Sequence, residues 1–274
     1  MLSSLREIYT YRHLLQLLVR RELRLRYKKS FFGFLWSLAD PVLTCVMITF
    51  AMRKALGIPV PNYSAYLFAA YIPWTYFNHG LLDSCSSILY NFVYVKKIYF
   101  PREVLTLATI LSNLIHFLLA LGVFFIYWLW LNHFDLRLQK TLWVLPILVL
   151  IQTLLMAGIG LILSCLSVYY EDIKFLVQRA LMMLLFITPV IWIADRFTGP
   201  TYTLIQLNPM AALIIAYQKV LLPPLPTRTT GDFRFYFHPL DWGMVAWTGF
   251  VSVIVFAIGC AVFNRMKWGL AEKM

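Results

Sequence analysis

Charge is scarce in this chain and acid scarcer: Asp and Glu total 12 against 24 Lys and Arg in 274 residues, and charged side chains make up 13% of the sequence. A soluble globule of this length needs more polar surface than that to cover its core. Catalytic signatures are missing as well. The five histidines, at positions 13, 79, 116, 133 and 238, form no HExxH pattern, and no glycine opens a phosphate-cradling GxxxxGK loop. No hydrolase or nucleotidase machinery and no metal site is therefore expected. The cysteines, Cys45, Cys85, Cys165 and Cys260, stand far apart, which excludes local metal-knuckle spacing and leaves structural thiols. No short apolar core with a small-residue cleavage site precedes residue 34, so no removable leader is expected.

What the chain does have is apolar length. With 61% hydrophobic and 17% aromatic residues and a mean hydropathy of +0.73, it reads as an all-α polytopic membrane protein. Its net charge of +12 lies between apolar runs rather than along a continuous stripe on a soluble domain. Membrane phosphates, not nucleic acid, are the expected counter-charge. About 20 apolar residues cross the hydrocarbon layer as a helix, and six such runs are found near 34–52, 63–82, 104–131, 141–167, 175–194 and 243–264. With six spans, 16 of the 24 Lys and Arg fall on the side holding both termini. That bias predicts cytoplasmic termini. The expected organisation is one transmembrane domain over 1–274: a basic amphipathic N-terminus at 1–33, the six-span region at 34–264 and a cytoplasmic tail at 265–274.

Two segments depart from simple spans. Residues 5–20 place Ile8, Tyr11, Leu15 and Leu18, with Leu14 and Val19, on one helical face and Arg6, Thr10, His13 and Arg20 on the other. Such a helix is expected to lie in the interfacial plane. The apolar stretch 201–222 is interrupted at Asn208-Pro209 and stopped by Pro223-Pro224, which predicts a pair of short helices re-entering the outer leaflet between spans five and six.

A family resemblance rests on four pieces in order. Arg24-Leu25-Arg26-Tyr27-Lys28-Lys29-Ser30, followed by Gly33, Leu35-Trp36-Ser37-Leu38 and Pro41, resembles the segment that enters the membrane in type 2 ABC exporter permeases moving lipid-linked polysaccharides such as O-antigen, teichoic acid or capsule. The stretch KKIYFPREVLTLATILSNLIHF at 96–117 resembles the lead into the family's third span. VYYEDIKFLVQ with ITPVIW at 168–192 resembles its fourth-to-fifth span junction, and LNPM at 207–210 its outer re-entrant segment. The likeness runs from about residue 15 to 265. One departure is Asp40, where the family usually has a neutral Asn. An acid there faces protein or water, or pairs with a neighbouring base.

The resemblance implies a homodimer in the bacterial cytoplasmic membrane with a separate cytoplasmic ATP-binding subunit under each copy. ATP and Mg belong to that subunit, this chain binds no cofactor, and the cargo is a lipid-diphosphate-linked glycan. It also implies a cytoplasmic coupling helix between spans two and three, for which Ile88, Phe92, Val95, Lys96, Lys97, Tyr99 and Arg102 are the candidates. Arg24, Arg26, Lys28 and Lys29 are candidates for the diphosphate at the substrate entrance, since guanidinium groups pair bidentately with phosphate. Topology and anionic-lipid binding account equally for their charge. Tyr63, Tyr66, Trp74 and Phe77 share one arc of the second span and suit either loose stacking on sugar rings in a channel or an interfacial belt. Phe124, Phe125, Tyr127, Trp128 and Trp130 read as belt.

Glu171 and Asp172 are adjacent in a short turn, with no nucleophile nearby, and read as helix-starting or subunit-contact charges. Two alternatives stay open: an exporter of a small molecule or lipid on the same fold, and a polyprenyl-diphosphate-dependent membrane transferase. For the second, Asp40 is the only acid in the core of a span, while Asn113, His116 and Gln152 are scattered.

Overall fold

The computed structural model describes residues 10–27, 34–55, 62–91, 100–131, 141–223, 229–230, 233–234, 238–267 and 269. Its elements are α1 (Arg12–Tyr27), α2 (Phe34–Phe50), α3 (Tyr63–Ser87), α4 (Glu103–Leu131), α5 (Leu145–Tyr169), α6 (Ile173–Ile187), α7 (Pro200–Leu207), α8 (Pro209–Leu221) and α9 (Trp242–Met266). A π-helical turn, Ala51–Ala55, follows α2. The described extended structure is a two-residue antiparallel ladder that pairs β1 (Thr229–Thr230) with β2 (Phe233–Arg234).

Among the described residues, three helical segments have the length and apolarity to cross a membrane: Glu103–Leu131, Leu142–Tyr169 and Trp242–Met266. A fourth candidate is the pair α7 and α8, which is bent by 108° at its break. The remaining expected spans are helical too, but α2 and α6 are short and α3 carries more polar residues, including Asn78, His79 and Asp83.

Helix boundaries follow local chemistry. Pro101 precedes α4, and Glu103 sits in its first turn, where a carboxylate meets the positive end of the helix dipole. The Asp241 side chain accepts from the Gly243 N–H at 2.8 Å and caps α9. Asn208 does the same for α8, accepting from Met210 N at 3.0 Å, with Pro209 in the first turn where its missing N–H costs nothing. Asn208-Pro209 thus ends one helix and starts the next.

Helix α1 starts near the expected segment but continues through the basic cluster to Tyr27. Leu14, Leu15, Leu18 and Val19 lie half-buried, whereas Arg12, His13, Gln16 and Arg20 are exposed. The half-buried stripe is the apolar face read from the sequence, and α1 lies against α4. Residues 5–9 of that reading lie outside the described residues.

The core gathers around α3, which packs on α4, α5, α8 and α2. A close helix crossing lies elsewhere, between α5 and α9. A Cβ on Gly259 would stand 2.3 Å from the Gly158 carbonyl oxygen, and one on Gly158 would stand 2.6 Å from the backbone of Val255 and Phe256. The two backbones therefore touch, which only glycine permits. Four buried hydroxyls inside the helices are satisfied locally: Ser84, Thr109, Thr248 and Ser252 donate to carbonyls four residues back. Around α6, Phe175, Leu176, Met182, Met183, Phe186 and Ile187 are exposed and Leu181 is buried. Most of that apolar surface has nothing against it among the described residues.

Candidate functional site

Two polar clusters mark opposite ends of the helices. One forms where α1 meets the end of α3 and the start of α4. Arg26 donates through Nη2 to Asp83 Oδ2 at 2.5 Å and through Nη1 to Asn113 Oδ1 at 3.0 Å. Asn113 closes the triangle by donating Nδ2 to the same Asp83 oxygen at 2.9 Å. One turn back, Arg21 donates to Asn91 Oδ1 at 2.5 Å, and Asn91 donates to Ser87 O.

Between them opens a polar pocket of about 90 Å³, lined among others by Glu22, Arg26, Asp83, Asn91, Thr109 and Ser112. Ser112 Oγ is buried there without a hydrogen-bond partner. Arg26 and Asp83 are each about a third exposed, so the ion pair contributes roughly 0–1 kcal/mol. Its consequence is chemical: the Arg26 charge is already partly answered by a carboxylate.

The entrance candidates therefore separate. Arg24 is exposed, Arg26 is turned into the triangle, and Lys28 and Lys29 lie outside the described residues. Asp83 was not legible as a partner, because it falls at the edge of an apolar run. Asn113 looked scattered until α4 packed beside α3.

Of the coupling candidates, Phe92, Val95, Lys96, Lys97 and Tyr99 lie outside the described residues. Ile88 does not face outward: it is fully buried against Leu161, Cys165 and Phe263. Of the arc that suggested a partner face, Ile88 alone is described, and it points into the chain's own interior. Arg102 donates from Nη1 to the Lys267 carbonyl at 2.6 Å, and its neighbour Glu103 lies 3.5 Å from Lys267 Nζ.

The second cluster stands at the other end. Lys219 of α8 lies 3.6 Å from Asp195, donates to Tyr202 Oη at 2.7 Å and reaches Pro239 O at 3.3 Å. The Tyr202 ring stacks on His238 at 4.3 Å, and His238 Nε2 lies 3.2 Å from the Phe197 carbonyl. Asp195 is 8% exposed, and burial pushes its carboxyl above the ordinary range, a shift that nearby Lys219 and His238 oppose. These contacts tie α7 and α8 to the turn after α6 and to the approach to α9.

Tyr63, Tyr66, Trp74 and Phe77 are at most 7% exposed. Tyr63 donates its hydroxyl to Ile191 O at 2.6 Å, and Trp74 and Phe77 pack with ring centroids 6.0 Å apart. All four are buried inside the chain, and a sugar would have to open that packing to reach them. In the expected belt, Phe124 and Trp128 are buried and Trp130 is exposed. Glu171 and Asp172 are exposed in the turn between α5 and α6, and Asp40 is exposed on α2. Cys45, Cys85 and Cys165 are buried thiols, and Cys260 is half-buried. Among the described residues no group of three or more His, Cys, Asp or Glu is arranged to hold a metal ion.

Comparison with known proteins bears directly on this arrangement. The family model described as ABC-2 type transporter matches residues 13–222. A protein of Klebsiella pneumoniae named O-antigen export system permease protein RfbA is 29% identical over 273 residues, covering 98% of this chain and 99% of the relative. A second Klebsiella pneumoniae protein of that name is 26% identical, with the same coverage. A Myxococcus xanthus protein, also named O-antigen export system permease protein RfbA, is 27% identical over 280 residues and aligns over 100% of both chains.

Proposed function

Because the chain belongs to the ABC-2 type transporter family, we propose that it is the permease subunit of an ATP-driven exporter of lipid-linked polysaccharide, O-antigen being the favoured cargo. The observation that carries this reading is the end-to-end alignment with relatives named as O-antigen export permeases. In this reading two copies form the pore in a bacterial cytoplasmic membrane, and a separate subunit binds ATP and Mg. The six apolar runs cross the bilayer, both termini face the cytoplasm, α1 lies at the inner interface, and the bent α7–α8 pair re-enters the outer leaflet. The segment 92–99 meets the ATP-binding subunit, while Arg24, Lys28 and Lys29, with Arg26 once released from Asp83, receive the lipid diphosphate.

The grouping of segments by end supports this orientation. Ser64 meets Tyr127 at 2.6 Å and Trp143 stacks on Trp242, whereas Arg102 and Tyr169 both reach the end of α9. These described residues at the helix ends fall into two groups, and the group that borders the segments richer in Lys and Arg supports placing those segments together.

The test is deletion of the gene. Lipid-linked glycan is expected to accumulate inside the cell and to disappear from the surface; unchanged surface glycan would shift the cargo to a small molecule. The purified chain is expected to hydrolyse no ATP until its partner subunit is added.

A second experiment addresses the entrance. Asp83→Asn removes the carboxylate that competes for Arg26. A partly exposed pair of this kind is worth at most about 1 kcal/mol, so binding of a fluorescent polyprenyl diphosphate is expected to tighten by up to about fivefold. Adding Arg26→Gln should cancel the gain; a gain that survives it would remove Arg26 from the entrance.

A further inference from the structure

The end of α9 is held by side chains from two other helix ends. An α-helix leaves its last carbonyls without partners inside the helix, and here two receive donors from elsewhere. Arg102 Nη1 donates to the Lys267 carbonyl at 2.6 Å, and the Tyr169 hydroxyl points to the Met266 carbonyl at 3.4 Å. The hold is reciprocal, because Lys267 Nζ reaches back to Glu103 Oε1 at 3.5 Å. Glu103 is only 5% exposed, and its second oxygen is buried without a hydrogen-bond partner. A carboxylate so placed depends on its ammonium partner. Arg102 and Glu103 come directly after Pro101, only a few residues from the 92–99 segment.

Beyond this clasp, α9 is a rod of 25 residues, about 37 Å long at helical rise. Along its length it is locked to α5 by the glycine crossing at Gly158 and Gly259. Toward its other end it packs against α8, the longer arm of the bent pair, and its first residue Trp242 stacks on Trp143 at 5.6 Å.

We propose that Arg102, Glu103 and Lys267 form a transmission clasp that makes α9 a push rod, carrying displacement of the 92–99 segment to the bent α7–α8 pair at the far end. The three are positioning residues and touch no substrate. The proposal rests on the reading that an ATP-binding subunit engages 92–99. It adds which residues pass the movement on, and by which helix.

The test uses the full chain in complex with its ATP-binding partner and measures two quantities: ATP hydrolysis by the purified complex and glycan displayed at the surface of complemented deletion cells. Lys267→Met keeps the aliphatic stem and removes the charge. It is expected to leave ATP hydrolysis within about twofold of the unaltered complex while display falls at least tenfold. Lys267→Arg is expected to retain both. Arg102→Gln, which takes only the cap from the α9 carbonyl, is expected to lower display relative to hydrolysis if Lys267→Met proves too unstable to purify.

Display that stays unchanged in Lys267→Met and Arg102→Gln, or hydrolysis and display falling in parallel as the amount of folded complex falls, would overturn the clasp. If the unaltered complex hydrolyses no ATP, the coupling reading fails first and the clasp fails with it.

Discussion

Gly259→Ala is expected to destabilise the chain by about 3 kcal/mol, the upper end of what overpacking a filled interior costs. The added methyl would sit 2.3 Å from the Gly158 carbonyl oxygen and 2.8 Å from its Cα. These are backbone atoms, so no side-chain rotation makes room, and α5 and α9 must separate along their length. The ordinary gain of about 1 kcal/mol for replacing a helical glycine by alanine does not offset this. Gly122 on α4 is the control, because a Cβ there meets nothing within 4 Å. Gly122→Ala is expected to be neutral or slightly stabilising. Thermal unfolding of the two purified variants in the same detergent checks the contrast, and an equal melting temperature would mean the α5–α9 crossing is not a close one. If α9 transmits movement, a Gly259→Ala protein that still folds should also show weaker export per ATP hydrolysed.

Neither glycine announced itself in the sequence. Gly158 sits in Ala157-Gly158-Ile159-Gly160 and Gly259 in Ile258-Gly259-Cys260, runs that read simply as apolar span. What was legible was periodicity and punctuation. Apolar length located the helices, Asn208-Pro209 located the break between α7 and α8, and the apolar stripe of α1 placed its buried face. The end of α1 was not legible, because Arg, Leu and Tyr in 20–27 are all good or tolerable helix residues and nothing in the run stops a helix.

The pairing of distant charges was hidden for a different reason. Arg26 with Asp83, Glu103 with Lys267 and Asp195 with Lys219 are separated by 24 or more residues, and only the packing of helices brings them together. Ile88 shows the opposite limit: helical spacing with Phe92 and Val95 defined a face but not which side of it was occupied, and its own side is filled by Leu161 and Phe263.

Among these pairs, Asp195 and Lys219 carry the largest electrostatic expectation, since their side chains are only about 12% and 11% exposed. Lys219→Met leaves the Asp195 carboxylate buried without its ammonium, and breaking one side of such a pair costs about 3–5 kcal/mol. Asp195→Asn in the same chain is expected to recover most of the loss, because the remaining neutral groups demand no counter-charge.

The pH dependence has a definite sign. Burial already raises the Asp195 carboxyl above its ordinary value against the opposing pull of Lys219, so removing the ammonium raises it further. A group that binds its proton more tightly folded than unfolded stabilises the fold as pH falls through its folded value and loses that contribution as pH rises. The gap in melting temperature between Lys219→Met and the unaltered chain is therefore expected to narrow from pH 8 toward pH 5, and to stay flat in the double variant. A gap that widens on acidification would mean Asp195 is not the group that Lys219 neutralises. The contact would then serve α8 through Tyr202 and Pro239 alone, and the bent pair would be pinned by hydrogen bonds that do not titrate in this range.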